Sequence, residues 1–207
     1  MAFLKKGILM IVSGPAGVGK GTVVAEAVGK SEGGIYLSVS ATTRSPRPID
    51  KEGVTYFFKT KGEFEKMIEN NELLEWACYV DNYYGTPAQP VKDALKDGKD
   101  VILEIEVQGA FKVKENFPEA VLTFIVPPSI EVLEERLRGR NTETEEQIQK
   151  RLRTARGELE KIEKYDYVVE KDTVEQAVND LFSILKSEKL KKEKFINEGF
   201  YNKLMNN

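Results

Sequence analysis

The sequence predicts an α/β fold: a three-layer core with helices on both faces of a parallel sheet, plus an inserted subdomain and a helical lid. Three observations predict it. Apolar runs of strand length alternate with segments of helical period along most of the chain. The alternation breaks at 41–85, a stretch that opens polar and proline-rich and then carries strand-like pieces of its own. A basic segment, 136–157, gathers Arg136, Arg138, Arg140, Lys150, Arg151, Arg153 and Arg156. At 207 residues the chain is a little over one domain long, taking about 150 residues per domain.

In chain order, 8–13 is short and fully apolar, as a strand buried on both faces must be. A helix follows over 22–29, then a second strand over 36–40. Residues 101–105 and 121–126 read as buried strands, and 167–169 as a shorter one. Thr86-Pro87, a cap followed by proline at the first helical position, opens a helix that stops near Gly98. Another helix starts at Ser129. A long one carries Ile148, Leu152, Ala155, Leu159 and Ile162 at spacings of four and three. The last places Val174, Val178, Leu181 and Leu185 on one stripe, and the Lys/Glu/Asn-rich tail 186–207 is expected to extend it and then fray. Within the insertion, strand-like pieces 55–58 and 73–80 flank a helix over 63–70. There is no internal repeat.

Composition removes several classes of function. Histidine is absent, which excludes imidazole bases and His-ligated metals. The one cysteine, Cys78, excludes an internal disulfide and a zinc knuckle. A net charge of −3 argues against a nucleic-acid coat, so any anion site must be local. Lys5 and Lys6 precede an apolar run, but it is only five residues, 8–12, with no cleavage pattern after it. No stretch approaches the roughly 18 apolar residues that span a bilayer. A cytoplasmic protein without membrane or nucleic-acid partners is expected.

The strongest chemical signal is Gly14-Pro15-Ala16-Gly17-Val18-Gly19-Lys20-Gly21-Thr22, placed between an apolar strand and a helix. Glycines let backbone amides curl around an anion, the helix N-terminus adds partial positive charge, and Lys20 supplies a point charge to the outer phosphates. The competing reading, a glycine-rich turn without a ligand, does not explain a lysine in register with strand and helix. The strict phosphate-loop pattern has Ser or Thr directly after the lysine. Here that residue is Gly21 and the hydroxyl, Thr22, comes one later. Glu104 ends the run Val-Ile-Leu-Glu and reads as the acidic tip of a buried strand, able to organise magnesium through water. For Glu106 that role and an ordinary strand-end carboxylate stand level. Arg44 and Arg47, three apart in a stretch stiffened by Pro46 and Pro48, offer two guanidinium forks to a second phosphate. Surface solubility is their plain alternative.

On these residues and on "SVSATTRSPRP", "GVTYFF", "LLEWACYVDNYYGTP", "VILEIEVQGA", "PPSIEVLEERLRGR" and "YDYVV", the chain resembles guanylate kinase from about residue 8 to about residue 190. Gly-Lys-Gly-Thr is itself similar to the loop of several nucleoside monophosphate kinases. The resemblance implies a P-loop NTPase core (1–40, 87–135 and 158–207), a GMP-binding subdomain (41–86) and a lid (136–157). It implies phosphoryl transfer from ATP to GMP with Mg²⁺, with Thr22 and Glu104 as candidate magnesium groups acting through water. It places ATP on residues 14–22, and assigns Arg44, Arg47, Tyr56 and Tyr84 to the GMP phosphate. Glu75 becomes the reader of the guanine edge, completed by the hydroxyls of Ser40 and Thr86. Gly85, Glu104 and Glu106 join the GMP-binding set. From its own surroundings Glu75 reads as a charge on a half-exposed strand beside Trp76.

The resemblance also gathers Arg136, Arg140 and Arg151 around the transferring phosphoryl group, which with Lys20 and Arg47 completes the catalytic set. Arg138, Arg153 and Arg156 read as a solvated face. One departure follows the last short strand. The family commonly has Val-Asn-Asp with the Asn near adenine, and here Glu170-Lys171-Asp172 puts Lys171 in the Asn position. Two other readings stay open: a guanylate-kinase-like binding module without catalysis, and a P-loop kinase of another small phosphate. A monomer or a homodimer is compatible with the sequence.

Overall fold

The computed structural model describes residues 6–79, 81–139, 144–192 and 205. Its main sheet has five parallel strands in the order β2-β7-β1-β8-β9: β1 (Leu9–Ser13), β2 (Ile35–Leu37), β7 (Asp100–Glu104), β8 (Val121–Val126) and β9 (Tyr167–Glu170). β1 is central, and its register sets Leu9 beside Val101 and Met10 beside Val121. Strand alternation sorts its side chains between two cores. Ile8, Met10 and Val12 pack toward α1 (Lys20–Lys30) and α7 (Val174–Lys189), with Val23, Val24, Ala27, Val178 and Leu181. Leu9 and Ile11 pack on the other face against α3 (Ala88–Lys96) and α4 (Val107–Asn116), with Val91, Ala94, Ala110 and Val113. These are the three layers the alternating pattern predicts. Asp100 ties the layers at one end: it accepts from the Ile8 amide at 3.0 Å and from Lys189 at 2.6 Å.

A second sheet, ordered β4-β3-β6-β5, comprises β3 (Ala41–Thr42), β4 (Phe57–Phe58), β5 (Leu73–Tyr79) and β6 (Asn82–Pro87). Helix α2 (Lys61–Glu69) packs Phe64 onto it, stacked on Tyr83 at 5.3 Å. A capping box between Thr60 and Glu63 starts α2 two residues before the expected 63. Helices α5 (Ile130–Arg138) and α6 (Glu145–Leu159) bury a core of their own, Leu133, Leu137, Ile148, Leu152 and Ala155. Arg138 donates to Glu134 at 2.6 Å and to Glu145 at 2.7 Å, so this arginine joins α5 to α6.

Several expected boundaries move for physical reasons. Thr86 caps nothing: it lies in β6 with its hydroxyl on Glu75, and Pro87 stands at the cap of α3. The second strand runs Ile35–Leu37, not 36–40, because beyond Leu37 the chain leaves the β7 edge for the second sheet. The long helix ends at Leu159, and Ile162 falls in a short 3-10 turn, Ile162–Lys164. Strands β3 and β6 and helix α4 were not read from the sequence. Arg140 and most of the tail lie outside the described residues. Among the described residues no helix is long and apolar enough to cross a membrane.

Candidate active site

The phosphate loop leaves β1 at its C-terminal end and enters α1 directly. Gly14 has φ 148°, and a Cβ there would stand 2.2 Å from the Ile125 carbonyl oxygen, so only glycine fits beside β8. Val18 is fully buried and pins the loop to the core, while Ala16 is exposed at its tip. Gly19 caps α1 in the left-handed region at φ 96°, with no side-chain hydrogen bond. The first amides of α1 therefore remain open to an anion. Leu137 of α5 closes on the loop: a Cβ at Gly17 would lie 2.7 Å from its Cδ2.

The Lys20 ammonium donates to the Gly14 carbonyl and to the Pro15 carbonyl, the latter at 3.2 Å. Burial lowers its pKa, opposed by Glu106, Glu104 and Glu158. Glu104 stands at the open end of β7 beside Gly21, where a Cβ would be 3.5 Å from Oε2. The hydroxyl of Thr22 is on the exposed first turn of α1. Desolvation raises Glu104, with Lys20 pulling it back down. Glu158 of α6, a residue the sequence reading did not single out, also reaches this cluster. Burial, and after it the charge of Glu106, push its carboxyl up to about 7, so near neutrality it is part protonated. Glu158 and Arg151 are seven apart on α6, which places Arg151 on the same helical face about 10 Å away.

On the second sheet, Arg44 is held from both sides. It donates to Asp50 at 2.8 Å and to the Ser45 carbonyl at 2.8 Å, and its guanidinium lies 5.3 Å from the Tyr56 ring. Asp50 also accepts the Arg47 amide at 2.7 Å. The Arg47 amide and the Arg44 guanidinium together hold the Asp50 carboxyl below its ordinary range. Asp50 is thus the clamp of the arginine loop, another residue the sequence reading missed. Its signal is an acid three residues past Arg47 at a turn. Arg47 itself projects into solvent. Tyr56 and Tyr84 stand with ring centroids 6.1 Å apart beside Arg44, and burial raises Tyr56.

Glu75 is 8% exposed, far more buried than its surroundings in sequence suggest. Its Oε1 accepts from Thr86 at 2.8 Å, and its Oε2 faces α4, where a Cβ on Gly109 would stand 3.1 Å away. Burial raises its pKa, against the Thr86 hydrogen bond and the charge of Lys112. Lys112 donates to the Trp76 carbonyl at 2.8 Å. Gly85 contributes close packing: a Cβ there would meet the Glu75 carbonyl at 2.8 Å and Trp76 at 3.0 Å. Ser40 is half-buried between the two sheets, its carbonyl accepting the Phe57 amide at 2.9 Å. Arg136 donates to the Lys171 carbonyl at 3.3 Å, and Lys171 stands over Gly19. Arg153 and Arg156 are exposed on α6.

One feature of the topology joins these parts. The segment 104–109, from the end of β7 into the first turn of α4, has the phosphate loop at its Glu104 end and Glu75 at its Gly109 end. The phosphate loop and the buried Glu75 carboxylate therefore meet opposite ends of one short segment.

The guanylate kinase family model matches residues 6–188. The chain is 56% identical to a guanylate kinase of Halalkalibacterium halodurans, over 93% of this chain and 94% of that protein. It is 50% identical to a guanylate kinase of Bacillus subtilis, over 92% and 93%. Its structure is similar to the crystal structure of guanylate kinase from Anaplasma phagocytophilum, with a TM-score of 0.72 and 33% identity, over 91% of this chain and 89% of that one.

Proposed function

The chain belongs to the guanylate kinase family and transfers the γ-phosphoryl group of ATP to GMP, giving ADP and GDP, and we propose that its phosphate loop and its second sheet divide that work. ATP binds by its phosphates to residues 14–22, with the open amides of α1 and Lys20 facing them. GMP binds with its phosphate on Arg44, Arg47, Tyr56 and Tyr84, and its base against Glu75, Ser40 and Thr86. The observation that carries this reading is the 104–109 segment at the start of α4, approached at one end by the phosphate loop and at the other by Glu75.

No proton needs to be removed from the nucleophile, because the GMP phosphate is already an anion. A chain without histidine is suited to such a reaction. The loose transition state spreads charge over equatorial oxygens, and the proposed contribution of Lys20, Arg136, Arg140 and Arg151 is fixed positive charge at those oxygens. For Lys20 this requires its ammonium to leave the Gly14 and Pro15 carbonyls for the phosphates. Residues 136–157 act as the lid over the core, and 41–86 as the GMP-binding subdomain. Closure of the lid when both nucleotides are present excludes water and limits wasteful ATP hydrolysis.

The donor set fits magnesium. An oxygen-only site with one carboxylate, Glu104, beside the loop suits an ion that takes its other ligands from phosphates and water, and no cluster of three metal-binding side chains is present among the described residues. Mg²⁺ bound there with ATP supplies charge neutralisation across the phosphates. Glu104 is then the group that holds it through water, with Thr22 on the adjacent helical turn. A cytoplasmic monomer or homodimer, acting on free nucleotides, accompanies this reading.

A coupled assay of ADP release with ATP and Mg²⁺ tests it, comparing GMP, AMP, CMP, UMP and no acceptor. Rapid ADP release with GMP alone is expected. Release without acceptor would make the chain an ATPase, and no release would make it a binding module. The Asp50 clamp gives a second test. Asp50→Ala frees Arg44 and slackens the arginine loop, and the KM for GMP is expected to rise about tenfold while kcat stays within about threefold. An unchanged KM would remove Asp50 from GMP binding.

A further inference from the structure

We infer that Lys171 anchors the phosphate chain of the donor nucleotide, a charge contact in place of a contact to the base. The inference rests on the donor-site reading above. Lys171 directly follows β9, and its amide donates to the Val126 carbonyl at 2.8 Å, so the sheet fixes where its side chain starts. That side chain lies over the phosphate loop: a Cβ on Gly19 would stand 3.6 Å from both Cε and Nζ of Lys171. Gly19 is the uncapped start of α1, so the ammonium stands at the mouth of the open amides.

Arg136 reaches the same place from α5. Its Nη2 donates to the Lys171 carbonyl at 3.3 Å, and its Nη1 is buried with no hydrogen-bond partner. Among the described residues Lys171 has no ion pair, and the acid acting on it is its neighbour Asp172. Desolvation and then the Arg136 charge hold its ammonium below the usual lysine range. Two cations side by side, one with an orphaned donor, favour an anion between them. A purine ring nitrogen can accept from the orphaned donor, but the base is neutral and does not relieve the repulsion between the two cations as a phosphate does. The side-chain amide common at this position can match the donors and acceptors of a base, whereas an ammonium only donates. Donor recognition in this chain therefore leans on charge, and the identity of the base matters less.

The test compares the native protein with Lys171→Asn and Lys171→Arg at saturating GMP and Mg²⁺, using ATP and CTP as donors. Inorganic tripolyphosphate serves as a base-free competitor. Lys171→Asn is expected to raise the KM for both donors and the inhibition constant of tripolyphosphate about fivefold. The maximal rate and the KM for GMP should stay within about twofold, and Lys171→Arg should restore the native values. Raising KCl from about 0.05 M to about 0.5 M should shrink the difference between native and variant. Unchanged donor KM and tripolyphosphate inhibition would overturn the inference. A rise for ATP alone, with CTP and tripolyphosphate unmoved, would overturn it in favour of base reading. If the native protein itself releases no ADP with GMP, the donor-site reading fails. Calorimetric binding of tripolyphosphate to native and variant proteins then decides the Lys171 contact separately.

Discussion

Replacing Lys20 by alanine is expected to lower kcat about 10³-fold, the scale on which removing one preorganised charge from a phosphoryl-transfer site acts. That factor corresponds to about 4 kcal/mol of transition-state stabilisation. The KM for GMP should change by less than about threefold, because the acceptor loop of Arg44 and Asp50 does not touch Lys20. Folding should survive. The lysine's hydrogen bonds are to two carbonyls of its own loop, and burial disfavours its charge in the folded state. Its loss leaves Glu104, Glu106 and Glu158 without their shared cation, and the Glu158 carboxyl, already pushed up to about 7, limits the repulsion. Steady-state kinetics with a melting curve on the same sample separates the two effects. Turnover within tenfold of the native protein, at unchanged Tm, would remove Lys20 from the chemistry.

What could be read from the chain follows the physics of each part. The core strands are buried on both faces, so they appear as continuous apolar runs such as LMIVS and VLTFIV and declare themselves without a partner. The phosphate loop is legible for a different reason. Its task is done by backbone, and backbone that must curl around an anion needs glycine at fixed places, of which Gly14 against Ile125 is the clearest. Strands β3 and β6 had neither signal. β3 is two residues long, and β6, NYYGTP, carries polar and turn-forming residues because one side is given to Glu75 and the aromatic cluster.

Side chains that work in pairs were the hardest to see. Asp50 acquires meaning only when the loop returns it to Arg44, and Glu158 only when α6 brings it to Glu106. Thr86 read as a helix cap because a threonine before a proline has that local signature. The buried carboxylate eleven residues earlier in the chain took its hydroxyl instead. The local rule lost to a long-range partner, and at that point the chain departs from its own secondary-structure pattern to build a site.

Glu75→Gln is expected to lower the preference for GMP over AMP by about 10²-fold, read as the ratio of kcat/KM values. Guanine presents two donors on one edge, N1–H and N2–H₂, and a carboxylate accepts both. An amide has one acceptor and one donor, so one of the two pairs becomes donor against donor. Adenine presents N6–H₂ as donor beside N1 as acceptor, which an amide matches. The substitution therefore weakens GMP and improves AMP together. Thr86 donates to Oε1 and the packing of Gly109 against Oε2 limits rotation, so the amide is held in the same plane as the carboxylate it replaces. Stability should not fall. Burial raises the Glu75 pKa, and the neutral amide carries no charge to desolvate. Gly109→Ala perturbs the same group without changing its chemistry. The added methyl, 3.1 Å from Oε2, should displace the carboxylate and raise the KM for GMP several-fold while AMP use stays at its native level. If Glu75→Gln leaves the GMP to AMP ratio at its native value with Tm intact, the base is read elsewhere, and Glu75 is a structural partner of Thr86.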